Sequence, residues 1–451
     1  MKALYFIILN QGLEKVFATE EGVGFSLPTY TTRVNVNVGF ESPNPFNEWF
    51  EERFGLKVFR RYAIDSLHID DVYFIVEASQ ANSKFEGLTG GQWVHFDALP
   101  PLQREVVSSV ARHYNQSYGM PWIDAKGFHP YLNWALDLLQ SEGTASVMEI
   151  EQIKNAYVSS VFRLITNRGD YYLKVIGSEF IREGAITRDL LRWGFLPTVE
   201  VVAFFKDGEA YLMRDMGGHN LEDAFDPRHL KEALLQTAHF QKQVLKHVNP
   251  CDLSGYYDLT IPTLKQHLDN AVDDARLLLA NTHYQLTSEE EELIAGNLEH
   301  YTGICAAVGD LVPNSLDHGD LRPGNIRICD EDRLLIYDWA WTSYTHPFFM
   351  VNNFLSIIRR NEAVIKMKPA LVDAYMTEWT EFAPIEKLRQ VYSQIEKLTY
   401  VYHTTIDAYW LRAVATHYPD NQCDPYSADG WLLDRRQYYY ADVVRKLTRI
   451  T

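Results

Sequence analysis

One short stretch, LDHGDLRPGNIRICDEDRLLIYDWAW at residues 316–341, holds His318, Asp320, Arg322, Asn325 and Asp338. Magnesium takes a few hard oxygen ligands and leaves its other positions to water and phosphate. Asn325 offers an amide oxygen and Asp338 a carboxylate for such an ion. Asp320 remains to accept a proton from an attacking hydroxyl, and Arg322 is a cation able to stabilise charge on a transferred phosphoryl group. This division of labour is the template of phosphoryl transfer, in which positioning and charge neutralisation supply most of the catalysis. A lone histidine is more often structural than catalytic, and His318 is read as a brace for the loop.

These groups need elements that hold them still. Gly319, Pro323 and Gly324 break the chain into a loop around Asp320 and Asn325. Two apolar runs follow, Ile326–Cys329 and Leu334–Tyr337, joined by the turn-like Asp330–Asp332. They predict a β-hairpin that delivers Asp338 at its end, and strand ends and loops are where a rigid scaffold presents reactive groups.

Upstream, residues 1–122 alternate strand-like runs (Ala3–Leu9, Val34–Val38, Val72–Ala78, Trp93–Phe96) with helical stretches Pro45–Phe54 and Leu102–Tyr114. Gly119 and Pro121 punctuate a boundary. The next segment predicts a helix at Leu132–Gln140 and strands at Val147–Ile153, Val161–Thr166 and Tyr171–Ile176. A helix at Glu179–Trp193 and strands at Val199–Phe205 and Ala210–Arg214 complete it. Beyond Leu221 the periodicity turns helical, at 221–248, 262–281, 287–308, 348–362, 367–380, 384–412 and 432–448. The expected architecture is α+β: an α/β head, a small β-rich lobe and a large helical lobe.

The chain of 451 residues has room for several domains, and 46% hydrophobic residues suffice for sizeable cores. A net charge of −18 disfavours nucleic acid as a partner, which needs a basic face. The four cysteines show no C-x-x-C spacing, so neither a disulfide framework nor a zinc site is indicated. The opening apolar run, Ala3–Leu9, is too short for a signal peptide or a membrane span, and the cytosol is the expected location.

HGDLRPGNI with IYDW downstream resembles the aminoglycoside phosphotransferase and choline kinase group, the small-molecule branch of the protein-kinase-like fold. The resemblance covers about residues 130–451 and implies a two-lobed enzyme using ATP and Mg²⁺. Its lobes are residues 123–218 and 219–451. It makes Asp320 the catalytic base and Asn325 and Asp338 the metal ligands, with Arg322 beside them. In GDYYLKVI, Lys174 becomes the phosphate-binding lysine. In FIREGAITRDLLRWG, Glu183 becomes its partner, with Glu179 one turn earlier as the rival. A lysine in an apolar strand needs such a carboxylate, because an unpaired buried ammonium is costly. AYLMRDMGG is similar to the hinge, where the backbone of Arg214 and Met216 would meet adenine. The nucleotide loop IKNAYVSSVFRL lacks glycines, so Ser159 and Ser160 would supply hydroxyls and N–H groups.

The head is similar in shape to a Nudix domain through EWFEERFGLKV and GGQWVHFDALPPL. With Gly55 and Leu56 aligned, Glu52 alone survives among the charged positions; Trp49 and Arg53 replace glutamates, and Glu48 replaces the arginine. One carboxylate cannot hold the metal. Residues 1–122 are therefore expected to be an inactive accessory domain, Nudix-like or unrelated, whose deletion leaves a foldable module. The acceptor is expected to be a hydroxyl of a small molecule of the aminoglycoside, amino-sugar or choline-like class, a cation among the candidates. Asp258, Asp269, Asp273, Asp274, Asp407 and Asp424 are candidate contacts, with Tyr409, Trp410 and Tyr438–Tyr440 as candidate stacking surfaces. No long activation segment follows Asp338, which argues against a protein kinase. The alternative is a non-catalytic nucleotide-binding or scaffold protein of the same fold.

Overall fold

The apolar N-terminal run KALYFI forms the first strand of a computed structural model that describes residues 2–9, 13–21, 24–32, 45–54, 58–65, 72–78, 90–115, 127–141, 145–155, 159–177, 182–223, 226–253, 255–358, 362–417 and 431–449. The chain divides into two compact units, Met1–Ile181 with Val201–Asp215 and Ala415–Asp434, and Arg182–Glu200 with Met216–Val414 and Arg435–Thr451.

The first unit opens with β1 (Lys2–Ile7), β2 (Lys15–Glu21), β3 (Gly24–Ser26), β4 (Thr29–Thr32), α1 (Pro45–Phe54), β5 (Val58–Asp65), β6 (Val72–Ala78), β7 (Gln92–His95) and α2 (Pro101–His113). One sheet runs β4-β1-β6-β5, with β1 and β6 parallel, and a smaller one runs β3-β2-β7. Of these strands, β2 to β5 are additions to the sequence expectation, while Val34–Val38 lies outside the described residues, as does the Gly119–Pro121 boundary. Trp49 stacks on Phe6 and meets Phe54 edge-on, so that helix position joins an aromatic core.

After α3 (His129–Ser141) come β8 (Val147–Asn155), β9 (Ser159–Thr166), β10 (Tyr171–Ile176), α4 (Arg182–Trp193), β11 (Val201–Phe205) and β12 (Ala210–Arg214). The five strands form an antiparallel sheet in the order β11-β12-β10-β9-β8. This sheet shares its core with the head. Phe59 on β5 lies 5.1 Å from Phe162 on β9 and 5.3 Å from Phe128, all three essentially buried. Asn155 Nδ2 donates to Arg61 O at 2.9 Å. These contacts bear on the expectation that deletion of residues 1–122 leaves a foldable module, because removal would strip Phe162 of a buried neighbour.

The second unit is mostly helical. It continues from α4 with β13 (His219–Asn220), α5 (Pro227–His247), β14 (Tyr257–Leu259), α6 (Ile261–Asp269), α7 (Ala271–Leu278), α8 (Ser288–Val308), β15 (Ser315–Asp317), β16 (Ile326–Ile328), β17 (Leu334–Ile336) and β18 (Ser343–Thr345). Helices α9 (Phe348–Ile357), α10 (Glu362–Thr377), α11 (Ile385–Lys397), α12 (Thr399–His417) and α13 (Trp431–Arg445) close it. Local rules set the helix starts. Asp226 accepts from Arg228 N ahead of Pro227 at the first turn of α5. Thr287 and Glu290 form a reciprocal capping box on α8. Two small sheets, β13-β16-β17 and β14-β18-β15, carry the hairpin and the strand before the loop. Among the described residues no helix is long and apolar enough to cross a membrane.

Candidate active site

Strand β15 ends at Asp317, and the loop that follows is held by hydrogen bonds from both ends. Asp317 accepts from Gly319 N at 3.1 Å and from the Tyr402 hydroxyl of α12 at 3.0 Å. His318 Nδ1 accepts from Asp320 N at 3.2 Å, so the ring proton sits on Nε2, which donates to Tyr337 O at 3.0 Å. A fully buried neutral imidazole is what desolvation demands, and burial pulls its pKa down to about 4. The ring also lies 4.4 Å from that of Trp339. His318 therefore ties the start of the loop to the residue before Asp338, which is the bracing role expected of it.

Asn325 is buried, and its Nδ2 donates to Asp320 O at 2.8 Å and to Asp320 Oδ2 at 3.2 Å. With the nitrogen so committed, Oδ1 is the atom Asn325 can present to a metal. Tyr337 N donates to Asn325 O at 3.1 Å, which brings the segment just past β17, with Asp338, alongside. Asp338 adopts a left-handed backbone, φ 66°, a conformation that aspartate tolerates better than most residues and that is concentrated at functional sites. These hard oxygens fit a Mg²⁺ ion that completes its shell with phosphate and water. Arg322 Nε lies 3.4 Å from Asp320 Oδ2, so the expected cation stands beside the expected base. Gly319, φ 78°, is obligatory: a Cβ there would collide with the Trp341 backbone.

The segment expected to be the hinge is fastened to the same hairpin. Arg327 on β16 donates to Gly217 O, Gly218 O and Asn220 Oδ1 at 2.6–3.1 Å. The Cys329 thiol donates to Met216 O at 3.1 Å. The Tyr337 hydroxyl reaches Gly324 O and Asn220 Oδ1. Arg327, Tyr337 and Asp317 are site-building residues that sequence reasoning passed over. The signal for Asp317, a carboxylate directly before the histidine in LDHGD, was visible; the others serve through contacts remote in sequence. Glu183, in the first turn of α4, is 1% exposed. Its rival Glu179 lies outside the described residues.

In the first unit, Lys174 sits mid-strand on β10, 6% exposed, opposite Val161 and Tyr211. Strand alternation puts Ser159 on the same face, diagonal to Lys174, and Ser160 on the other. The Ser159 hydroxyl is buried without a partner among the described residues. Ser160 Oγ instead donates to Lys154 O at 3.1 Å, so that hydroxyl has a task within the hairpin. Arg214 ends β12 opposite Tyr171, and its guanidinium donates to the Tyr171 hydroxyl at 2.9 Å.

Most of the acidic acceptor candidates are engaged internally. Asp269 pairs with Lys265, Asp273 with Arg276 and Asp274 with Arg412, while Asp258 caps Thr260 N. Asp424 lies outside the described residues. Asp407 is half-buried, and burial pushes its carboxyl up to about 6 against the pull of Arg436. Trp410 has both faces covered, by the Trp341 ring at 4.0 Å and the Arg436 guanidinium at 3.7 Å, so it offers no stacking surface. Tyr409 bonds His267, Tyr440 is buried, and Tyr438 and Tyr439 are exposed.

An aspartate held by an asparagine and a second aspartate close by in the same motif are the residue types that the phosphoryl-transfer template calls for. The chain belongs to the phosphotransferase enzyme family, which matches residues 149–385, a little over half its length. Solved structures with similarity include a choline kinase of Streptococcus pneumoniae, 12% identical over 69% of this chain and 98% of that one, TM-score 0.44. An ethanolamine kinase of Plasmodium vivax is 11% identical over 75% and 93%, TM-score 0.44. A spectinomycin phosphotransferase with ADP and spectinomycin is 11% identical over 70% and 97%, TM-score 0.42. No curated protein sequence matches the chain.

Proposed function

We propose that the protein transfers the terminal phosphoryl group of ATP to a hydroxyl of a small molecule, within a two-lobed, protein-kinase-like fold. Residues 123–218 would be the small lobe and 219–451 the helical lobe. The single observation that carries this reading is the Asp320–Asn325 pair, braced through His318 and Tyr337 to the segment bearing Asp338, inside the family-matched segment. Asp320 takes the acceptor proton as the new P–O bond forms and the bond to the β-phosphate oxygen breaks. Arg322 adds positive charge beside it. Asn325 Oδ1 and Asp338 would hold Mg²⁺, which neutralises phosphate charge when bound. Lys174 is assigned to the phosphates, with Glu183 as its expected partner, Ser159 to the same face, and the backbone of Arg214 and Met216 to adenine.

For the acceptor, Asp407 is the carboxylate we assign to an ammonium or hydroxyl donor, because half-burial leaves it in need of a donor. Residues 1–122 have no assigned chemistry of their own, and the Nudix likeness of the head stays an analogy of shape. Screening full-length protein with Mg·ATP against amines, sugars and nucleosides for ADP release tests the proposal. The expected result is turnover with one acceptor class that disappears in Asp320→Asn. Failure of millimolar Mg·ATP to raise the melting temperature would count against any nucleotide role.

A further inference from the structure

The head reaches the hairpin to which the nucleotide phosphates are assigned. Asn155 is the last residue of β8, 2% exposed, and it pairs with Ser160 across the ladder. Ser160 and Lys154 close this end of the hairpin from within. From outside, Asn155 is fastened by its amide to the backbone carbonyl of Arg61, on strand β5 of the head. Arg61 is itself immobilised. Its side chain is wholly buried, with the guanidinium 4.3 Å from the Tyr114 ring centroid and Nη2 donating to Tyr114 O at 3.2 Å. Phe59, two residues before it, packs on Phe162 of β9.

A phosphate-binding hairpin normally relies on glycine to bring its backbone close to the ligand, and KNAYVSS has none. A hairpin without that freedom must be placed by its neighbours. A buried arginine is an expensive way to fill a core, and in some proteins groups of this kind fix one arrangement among several. We infer that the head is a positioning scaffold for the nucleotide hairpin, with Asn155 the residue through which β5 sets the β8 end for phosphate binding. This rests on the phosphotransferase reading above.

The test compares full-length wild type with Asn155→Ala and with Asn167→Ala. Asn167 accepts from Ser146 N at 2.9 Å at the opposite end of the same hairpin, so its loss controls for general loosening. Dissociation constants for Mg·ATP and Mg·ADP are measured by calorimetry, and adenosine by competition. Asn155→Ala should weaken both phosphate-bearing ligands by about tenfold, the scale on which supporting contacts act on a binding group. Adenosine, which has no phosphate, should bind it as it binds wild type, and Asn167→Ala should bind all three normally. If Asn155→Ala does not fold, Phe59→Leu slackens the same contact from the head side and should show the same selective loss. Wild-type affinities in whichever of these variants folds overturn the inference, as does an equal loss for adenosine. Absence of Mg·ATP binding in the wild type would instead remove the nucleotide reading beneath it.

Discussion

Asp320 and Asp338 are both carboxylates of the same short motif, yet their settings predict different losses. Asp338 combines a metal-ligand assignment with a left-handed backbone, so alanine there would confuse strain with chemistry. Asparagine tolerates the same backbone and isolates the charge. Asp338→Asn should weaken Mg²⁺-dependent ATP binding by at least about tenfold, because a metal ligand acts in the ground state. Asp320→Asn should bind Mg·ATP nearly normally while turnover falls by about 10²–10⁴, the range for a general base. Calorimetry and ADP release separate the two, and equal binding by both variants would refute the division of roles. Asp317 gives a pH-dependent prediction. Burial pushes its carboxyl from 3.8 to about 6, so its contribution to stability is present below 3.8 and lost as pH rises through 6. His318 and His346 are displaced the other way, from 6.5 to about 4 and about 3, by burial. Their contributions are present above 6.5 and lost as pH falls, and together they outweigh the aspartate. Wild type should therefore lose stability below pH 6.5, whereas Asp317→Asn should gain on wild type between pH 4 and 7 by about 3 kcal/mol, at 1.36 kcal/mol per unit. Urea midpoints across that range would show it, and parallel curves would mean that Asp317 does not titrate there.

The helices were the most legible elements, because an apolar stripe at helical spacing survives substitutions elsewhere. Two long periodic stretches nonetheless divide, at Asn270 between α6 and α7 and at Leu398 between α11 and α12. Helix α10 runs through Pro369, where its missing hydrogen bond would leave the carbonyl of Ile365, an exposed residue, to solvent. The head strands were harder. In β5, VFRRYAID, two adjacent arginines interrupt the alternation, and nothing local tells that Arg61 lies buried against Tyr114. The loop around Asp320 and Asn325 was legible because glycine, proline and reactive side chains coincide in it. Its supports, Arg327 and Tyr402, act across tens of residues and leave no spacing to read. The capping box of α8 offers a test at this scale. Thr287→Ala should lower stability by about 1 kcal/mol, seen as a lower urea midpoint, with ADP release unchanged. A matching loss of turnover would show that α8 couples to the site.

For the molecule as a whole, the shared core of the head and the five-stranded sheet decides how the chain can be divided. A chain beginning at residue 127 would leave Phe128 and Phe162 without Phe59, and Asn155 without Arg61. Truncation of a large buried aromatic contact typically removes about 3–5 kcal/mol, roughly a fifth or more of a domain's whole stability. The truncated protein is expected to be insoluble or to melt without a cooperative transition, as checked by gel filtration and circular dichroism. A soluble truncation that binds Mg·ATP with full affinity would disprove this coupling. The same contact has a consequence for synthesis. Phe59 leaves the ribosome about a hundred residues before Phe162, its partner. At about 5–20 residues per second that interval is roughly 5–20 s. Through it the nascent head carries an aromatic face without its Phe162 cover, Phe128 arriving only partway, which makes this stage of translation the natural point for chaperone engagement.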